Sequence, residues 1–355
     1  MKILVVDELC YPQLGGIQVR FKALAEQWAA QGHEVQVTAV DHIGTSPQQE
    51  VINGVVYNRV LKDANYYKNG IMGRRISTII RYAFKLDRFF KQEWDVIIFC
   101  QFPMLPQVFY KVFYKKRAQT ILDFVEYRNS ALWKVINNII LNTVDKVVCI
   151  TNGIKKQVSN YRQHDLHIIP SFFDMRDTVS ESKSNYIFLG RMEKHKHPDH
   201  AIEAVIAYNK IHGKITILDV VGDGAMFEEL KTKFENIPFI RFHGKVDDEK
   251  KKKLLANARI LILPSEREGL PIVIIEAMAY GVPCLTTEYP GNGAKDFVTD
   301  EKIGKVALPT IDDLTLALHD MEQSYGNYVN TCNAIKGNFD LTLISENYLK
   351  IAQQA

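Results

Sequence analysis

The chain has 355 residues, 46% of them apolar and 24% charged, with a formal net charge of +3. That length and balance fit about two globular domains and exclude collagen-like, mucin-like and disordered chains. The five cysteines, Cys10, Cys100, Cys149, Cys284 and Cys332, stand far apart with no C-x-x-C pair. This argues against a disulfide framework or zinc ribbon and for a reducing compartment.

The N-terminus, MKILVVDE, reads as a strand rather than a signal peptide. No apolar run approaches the length of a membrane span. Charge is uneven. Residues 1–170 hold 22 basic and 14 acidic residues, and residues 59–117 alone hold 13 and 4. The first half is expected to meet something anionic.

In chain order, β-rich runs are predicted at Lys2–Val6, Glu34–Val40, Val55–Val60, Asp95–Cys100, Gln119–Phe124 and Asp145–Ile150. Several are continuous apolar runs, as strands buried on both faces require. Ile17–Ala30 carries Phe21, Leu24, Ala25 and Trp28 at helical spacing, with Gly32 placed to end the helix. Ser171–Ser184 is polar, serine-rich and aperiodic, and reads as a linker. The alternation then restarts at Tyr186–Leu189, Lys214–Val221, Phe239–Phe242, Arg259–Leu263 and Val282–Thr286. The prediction is α/β throughout: two doubly wound parallel sheets, with ligands at a cleft between their carboxyl ends.

Four motifs carry chemistry. Gly15-Gly16 follows the first strand and opens the first helix, where free N–H groups suit phosphate; a tight turn explains it about as well. It is not G-x-G-x-x-G, which disfavours a nicotinamide-dinucleotide site. Arg191 and Lys196 lie on the loop after Gly190, before a helix starting near Pro198. Two converging cations suit a diphosphate, although a solvated basic loop is the blander reading. Val221-Gly222-Asp223-Gly224 reads as a structural turn. Glu268-Gly269-Leu270-Pro271 leads into a helix, Val273–Tyr280, that holds Glu276. A helix N-terminus favours anions, and two carboxylates can accept bonds from sugar hydroxyls. Glu276 sits in an apolar run, IVIIEAMA, where an unpaired charge is costly, so it is expected to have a bound partner.

Gly190-Arg191…Lys196, Gly222-Asp223-Gly224, His243-Gly244-Lys245-Val246 and Glu268…Glu276 continuing EAMAYGVP occur in one order. Together they resemble the retaining, nucleotide-sugar-dependent glycosyltransferases of family 4, of GT-B fold. The resemblance implies two Rossmann-like domains facing a central cleft. Residues 1–170 plus about 341–355 would be the acceptor domain and 171–340 the donor domain, with Leu341–Gln354 crossing back. It implies that Arg191 and Lys196 hold the donor diphosphate and stabilise the leaving group. Glu268 would contact sugar hydroxyls beside the backbone of Gly269, Leu270 and Pro271. Glu276 would hold the ribose, Lys245 and Val246 would meet the base, and Gly15, Gly16 and Gly190 would border the phosphates.

Fixed cations and N–H groups stabilise charge developing on a leaving diphosphate. With no D-x-D pair and no His/Cys cluster at ligand spacing, neither metal nor cofactor is expected. The chain departs from the family at His197, where glycine is usual after the motif lysine. The region where many relatives carry an acceptor-side histidine reads Leu122 to Arg128. There Asp123 and Glu126 are candidates for an acceptor hydroxyl, against a salt bridge with Arg128. Asn292 to Asp296 resembles a segment of relatives that build lipid-linked or capsular saccharides.

Residues 71–91 read as one amphipathic helix with Met72, Ile76, Ile79, Ala83, Leu86 and Phe90 on its apolar stripe. Arg74, Arg81, Lys85 and Arg88 lie opposite, and VFYKVFYKKR follows at 108–117. A core-packed helix with a solvated face competes here with a surface held by anionic lipid. Nucleic acid is disfavoured because no such module is visible.

The expected protein moves a hexose or N-acetylhexosamine from a nucleotide sugar, of the UDP class, to a lipid-linked or cell-surface glycan. It would work in the cytoplasm, peripheral to the membrane. The rivals are a GT-B epimerase or hydrolase and a non-catalytic GT-B partner that holds a glycan or a sister subunit.

Overall fold

The computed structural model describes residues 1–11, 16–66, 74–114, 118–128, 130–173 and 183–354. Gly15, Met72 and the basic run 115–117 lie outside them. The chain divides into two units, Met1–Pro170 with Leu341–Ala355, and Ser171–Asp340.

The first unit is built on eight strands: β1 (Lys2–Val6), β2 (Glu34–Asp41), β3 (Gln49–Ile52), β4 (Val55–Lys62), β5 (Val96–Cys100), β6 (Gln119–Phe124), β7 (Lys146–Cys149) and β8 (Leu166–Ile168). They lie in the order β3-β4-β2-β1-β5-β6-β7-β8. Only β3 runs antiparallel to its neighbour β4. The centre is apolar on both faces. Val5 of β1 pairs with Val37 and with Ile98, and every residue of β5 is buried. This is what helices on both faces of a parallel sheet demand.

Among the described residues, the helices that follow the strands are α1 (Gly16–Ala30), α2 (Ile76–Lys85), α3 (Asp87–Phe90), α4 (Leu105–Phe113), α5 (Ala131–Leu141) and α6 (Asn152–Val158). The segment read as one helix over 71–91 is two, because the chain breaks at Leu86. Of the expected apolar stripe, Ala83, Leu86 and Phe90 are buried and Ile79 half-buried, but Ile76 is not. The buried face of α2 is Thr78, Tyr82 and Ala83, whereas Ile76 is 73% exposed. The Tyr82 hydroxyl donates to the backbone oxygens of Asp7 (2.7 Å) and Thr38 (2.9 Å). Satisfying those inner carbonyls sets Thr78 and Tyr82 against the sheet beside Ala83 and leaves Ile76 and Ile80 outside.

The second unit has a six-stranded parallel sheet and a two-stranded ribbon. The strands are β9 (Asn185–Leu189), β10 (Leu218–Val221), β11 (Ile240–Gly244), β12 (Ala258–Leu263), β13 (Arg267–Glu268), β14 (Cys284–Thr287), β15 (Gly291–Asn292) and β16 (Gly304–Ala307). The sheet order is β11-β10-β9-β12-β14-β16, and β13 pairs with β15. Its helices are α7 (Pro198–His212), α8 (Phe227–Phe234), α9 (Asp248–Asn257), α10 (Ile272–Ala279), α11 (Ala294–Asp300), α12 (Ile311–Gln323) and α13 (Tyr325–Ile335).

The last helix, α14 (Leu341–Gln353), returns to the first unit and packs on α1. Tyr348 meets Phe21 and Trp28 edge-on at centroid distances of 6.3 and 5.5 Å. Trp28 Nε1 donates to Ser345 O, and Lys146 Nζ donates to Ile351 O at 2.8 Å. All five cysteines are free and buried.

Candidate active site

The motif residues of the second unit meet at the carboxyl ends of β9, β10, β11 and β12. Backbone bonds join the ends laterally: Gly190 N donates to Val221 O (3.0 Å), and Gly222 N to Gly244 O (2.9 Å). The loop after β9 is tied to the loop after β12 by Glu266 N donating to His195 O (2.8 Å). Glycine is required where these loops touch. Gly222 has φ +131°, and a Cβ there would lie 1.8 Å from Gly190 O.

Lys194–Lys196 forms one 3₁₀ turn, and His197 then takes φ 47°, ψ 52° before Pro198 opens α7. That left-handed backbone is where glycine is at ease, which gives the departure at His197 its physical meaning: the histidine holds the same turn at some strain. The turn presents Lys196 Nζ to Glu268 Oε1 as a direct ion pair, part-buried on both sides. Ser265 Oγ donates to the same oxygen at 3.1 Å. Glu268 is held by the β13–β15 ribbon, where Gly293 N donates to its carbonyl at 2.8 Å. Burial, together with the guanidinium groups of Arg191 and Arg267, pushes the Lys196 ammonium down to about 7. The touching Glu268 carboxylate works in the opposite direction. Arg191 itself is exposed.

Pro271 caps α10 with no side-chain bond to the helix start. Gly269 and Pro271 are part-exposed beside it, while Leu270 is buried. Glu276 is buried on α10, but it has a protein partner: Lys251 Nζ of α9 donates to Oε1 at 2.8 Å. Burial opposes charge on Lys251, yet Glu276 and Asp248 outweigh it and raise its pKa. The burial of Glu276 therefore needs no ligand to explain it. Lys245 is exposed and Val246 half-buried, just past β11.

One cluster was not expected. Among the described residues, His197, Asp199 and His200 bring one ligand atom each within 4.8 Å of one another. Their Nε2, Oδ1 and Nδ1 atoms respectively are buried without hydrogen-bond partners. The positive end of α7 and nearby Lys194 work against a cation there.

The candidates of the first unit fare differently. Gly16 is the first residue of α1 and exposed, and a Cβ added to it would meet nothing within 4 Å. Asp123 does not face an acceptor: it is fully buried. Arg20 donates to its Oδ2 from Nε (3.3 Å) and Nη2 (3.2 Å), and the Tyr348 hydroxyl does so at 2.9 Å. Glu126 is part-exposed and paired with Arg128 at 3.0 Å. Arg74 turns inward, with Nε 2.5 Å from Glu8 Oε2 and its guanidinium over the Phe102 ring. Arg81 reaches Asp63 at 3.3 Å, while Lys85 and Arg88 are exposed.

Sequence reasoning missed Ser265 and Lys251, which bond to Glu268 and Glu276, and Arg267, whose charge opposes that of Lys196. It also missed Asp7 at the end of β1, whose carboxyl is raised to about 7 by burial and by Glu8. The signal for Asp7 was its place directly after the first strand. Among the described residues no helix is long and apolar enough to cross a membrane.

The profile described as Glycosyltransferase Family 4 matches residues 14–177, and that described as Glycosyl transferases group 1 matches 172–336. A Campylobacter jejuni relative, GalNAc-alpha-(1->4)-GalNAc-alpha-(1->3)-diNAcBac-PP-undecaprenol alpha-1,4-N-acetyl-D-galactosaminyltransferase, is 29% identical over 49% of this chain and 49% of its own. The UDP-Gal:alpha-D-GlcNAc-diphosphoundecaprenol alpha-1,3-galactosyltransferase of Escherichia coli is 27% identical over 34% of this chain and 32% of its own. The chain thus matches half or less of the length of these relatives. In fold, the sucrose-phosphate synthase of Thermosynechococcus elongatus aligns with 99% of this chain and 98% of its own at a TM-score of 0.77 and 16% identity. With one profile on each Rossmann-like unit and the motif residues gathered at the strand ends of the second, the chain belongs to family 4 of the glycosyltransferases and has the GT-B fold.

Proposed function

We propose that this chain transfers a hexose or N-acetylhexosamine from a UDP sugar to a lipid-linked or cell-surface glycan, with retention of anomeric configuration. The observation that carries the reading is the part-buried Lys196–Glu268 pair on the strand-end loops, with the charge of Arg191 felt at Lys196. In the reaction the bond from the anomeric carbon to the β-phosphate oxygen breaks, and an acceptor hydroxyl oxygen bonds to that carbon. Retention has the acceptor enter on the face the diphosphate leaves, so the departing phosphate oxygen takes the acceptor's proton.

Arg191 and Lys196 meet the charge that grows on the diphosphate, which is the role a divalent ion takes elsewhere. Diphosphate binding also releases Glu268 from Lys196 to accept from sugar hydroxyls. Glu276, already oriented by Lys251, holds the ribose, and the backbone at Lys245 and Val246 meets the base. Gly190 leaves room for phosphate, and the part-exposed Glu126 is the remaining acceptor-side carboxylate. The undecaprenyl-linked acceptors named for two relatives support a lipid-linked acceptor and peripheral work at the cytoplasmic membrane face.

Thermal unfolding with a panel of nucleotides and nucleotide sugars tests the donor site. A ligand at 100 times its Kd stabilises by about 2.7 kcal/mol. The expected result is a raised melting temperature with UDP and one UDP sugar, lost in Glu276→Ala. No shift with any nucleotide sugar would overturn the reading.

A further inference from the structure

The turn that opens α7 gathers three side chains that the proposed transfer reaction does not use. His197 and His200 lie about one helical turn apart with Asp199 between them in sequence, and the His200 amide donates to the His197 carbonyl at 3.1 Å. Each of the three offers a ligand atom within 4.8 Å of the other two. His197 Nδ1 stands 4.0 Å from Asp199 Oδ1, too far for a hydrogen bond. Asp199 Oδ1, His200 Nδ1 and His197 Nε2 are all buried without a hydrogen-bond partner. Buried polar atoms are normally satisfied, so three unspent ones on neighbouring side chains call for a reason.

The ring of His197 is held firmly. It packs against the His200 ring at a centroid distance of 4.5 Å and stacks on Tyr289 at 5.6 Å and 8°. Its backbone sits at φ 47°, a strain of the kind that accompanies a working side chain. At its second ring nitrogen, Nε2 stands 4.0 Å from Glu266 Oε2, and the Glu266 side chain is exposed enough to close that gap. A metal-bound imidazole commonly donates its other N–H to a carboxylate so placed.

The ligand set selects the ion. Two imidazoles and a carboxylate suit Zn²⁺ or a neighbouring d-block cation such as Co²⁺, whereas Mg²⁺ and Ca²⁺ take oxygen. Tetrahedral zinc sets such ligands about 3.3 Å apart, so each side chain has to move by less than about 1 Å. The positive end of α7 and Lys194 oppose a cation held by charge alone. Lys194 is exposed and screened, however, and bonds to imidazole nitrogen do not rest on charge alone. The geometry points to a structural site for a zinc-class ion at His197, Asp199 and His200, with Glu266 orienting His197. The Glu266 amide already donates to His195 O at 2.8 Å, so the ion clips the loop after β12 to the turn that carries Lys196. It takes no part in bond breaking, because Lys196 faces Glu268 while His197 faces Asp199 and Glu266.

The test is titration of the whole chain, stripped of metal by a chelator and free of any affinity tag. Co²⁺ binding is followed by visible absorption and Zn²⁺ binding by thermal unfolding. The five cysteines are buried and do not compete in the folded chain. The expected result is one Co²⁺ per chain, displaced by Zn²⁺ but not by excess Mg²⁺, and a melting temperature raised by Zn²⁺. Asp199→Asn/His200→Gln should weaken Co²⁺ binding at least roughly a hundredfold, and Glu266→Gln roughly tenfold. His197→Gly relieves the left-handed strain, so its metal-free melting temperature should equal or exceed that of the wild type while its response to Zn²⁺ vanishes. Unchanged far-ultraviolet circular dichroism would show that the variants remain folded. Absence of Co²⁺ and Zn²⁺ binding at about 100 μM would overturn the inference. So would binding that persists in both Asp199→Asn/His200→Gln and His197→Gly, which would mark adventitious ions on the surface. Neither donor nor turnover enters the test, so this site and the transfer reaction can fail separately.

Discussion

Replacing Asp123 by alanine separates a structural role from an acceptor role. The carboxylate joins Arg20 of α1 and Tyr348 of α14 to β6, and Arg20 is itself almost wholly buried. Removing one partner of a buried ion pair costs about 3–5 kcal/mol, because the other charge is left uncompensated. Arg20 would keep the carbonyls of Pro170 (2.6 Å) and Ile169 (2.9 Å), which places the loss toward the lower end. The Tyr348 hydroxyl would lose its acceptor, which adds back roughly 1 kcal/mol or more. In a unit of this size each kcal/mol moves the melting temperature by about 2–4 °C, so a fall of roughly 6–20 °C is expected. All three tryptophans, Trp28, Trp94 and Trp133, belong to this unit, so their fluorescence follows its unfolding selectively. Asp123→Asn, which keeps an acceptor for Tyr348, should lose less. Arg20→Met/Asp123→Leu should recover much of the loss. A shift below about 2 °C together with a large fall in turnover would refute this reasoning and return Asp123 to the acceptor site.

Three further outcomes are expected. Lys196 is a cation only below its pKa, which burial has lowered to about 7, so kcat/KM for the donor should fall as pH rises through that value. Glu268→Gln removes the opposing carboxylate and should move this alkaline limb to lower pH; an unmoved limb would sever Lys196 from the profile. Gly222→Ala forces a Cβ against Gly190 O and should abolish the donor-induced thermal shift while leaving the tryptophan transition in place; a normal donor shift would show that the loops can part. Gly16→Ala meets no atom within 4 Å and should leave the melting temperature within about 2 °C, so a larger change would place an unseen constraint on the start of α1.

Buried apolar runs were the legible part of the fold. Val96–Cys100 and Gln119–Phe124 stand within a residue of their expected places, the first because its run is wholly apolar. The edge strand β3 was not legible, because its side chains alternate between exposed and half-buried and carry little hydrophobic signal. Its turn did carry one. Asn53 and Gly54 have φ of 50° and 81°, the pattern of a two-residue hairpin, and the Asn-Gly pair is visible in the sequence. The pairing of Lys196 with Glu268 joins residues 72 positions apart, and that of Glu276 with Lys251 residues 25 apart. Spacing along a chain does not reveal such partners. Within α2, the exposure of Ile76 was not legible for a related reason. Periodicity finds a stripe but not which side is inward, and here the carbonyls awaiting the Tyr82 hydroxyl decided it.

The return of α14 to α1 has a consequence in time. On the ribosome, residues 1–170 emerge first, yet the helix that covers Trp28 and supplies Tyr348 to Asp123 is made only after the whole second unit. At about 5–20 residues per second that delay is on the order of ten seconds or more. Through it, the apolar side of α1 lacks its covering helix and the Arg20–Asp123 pair lies at the surface. The second unit has no such wait, since Ser171–Asp340 is contiguous. Folding during synthesis should therefore finish out of chain order, with the earlier-born unit completed last and dependent on chaperones in the interval.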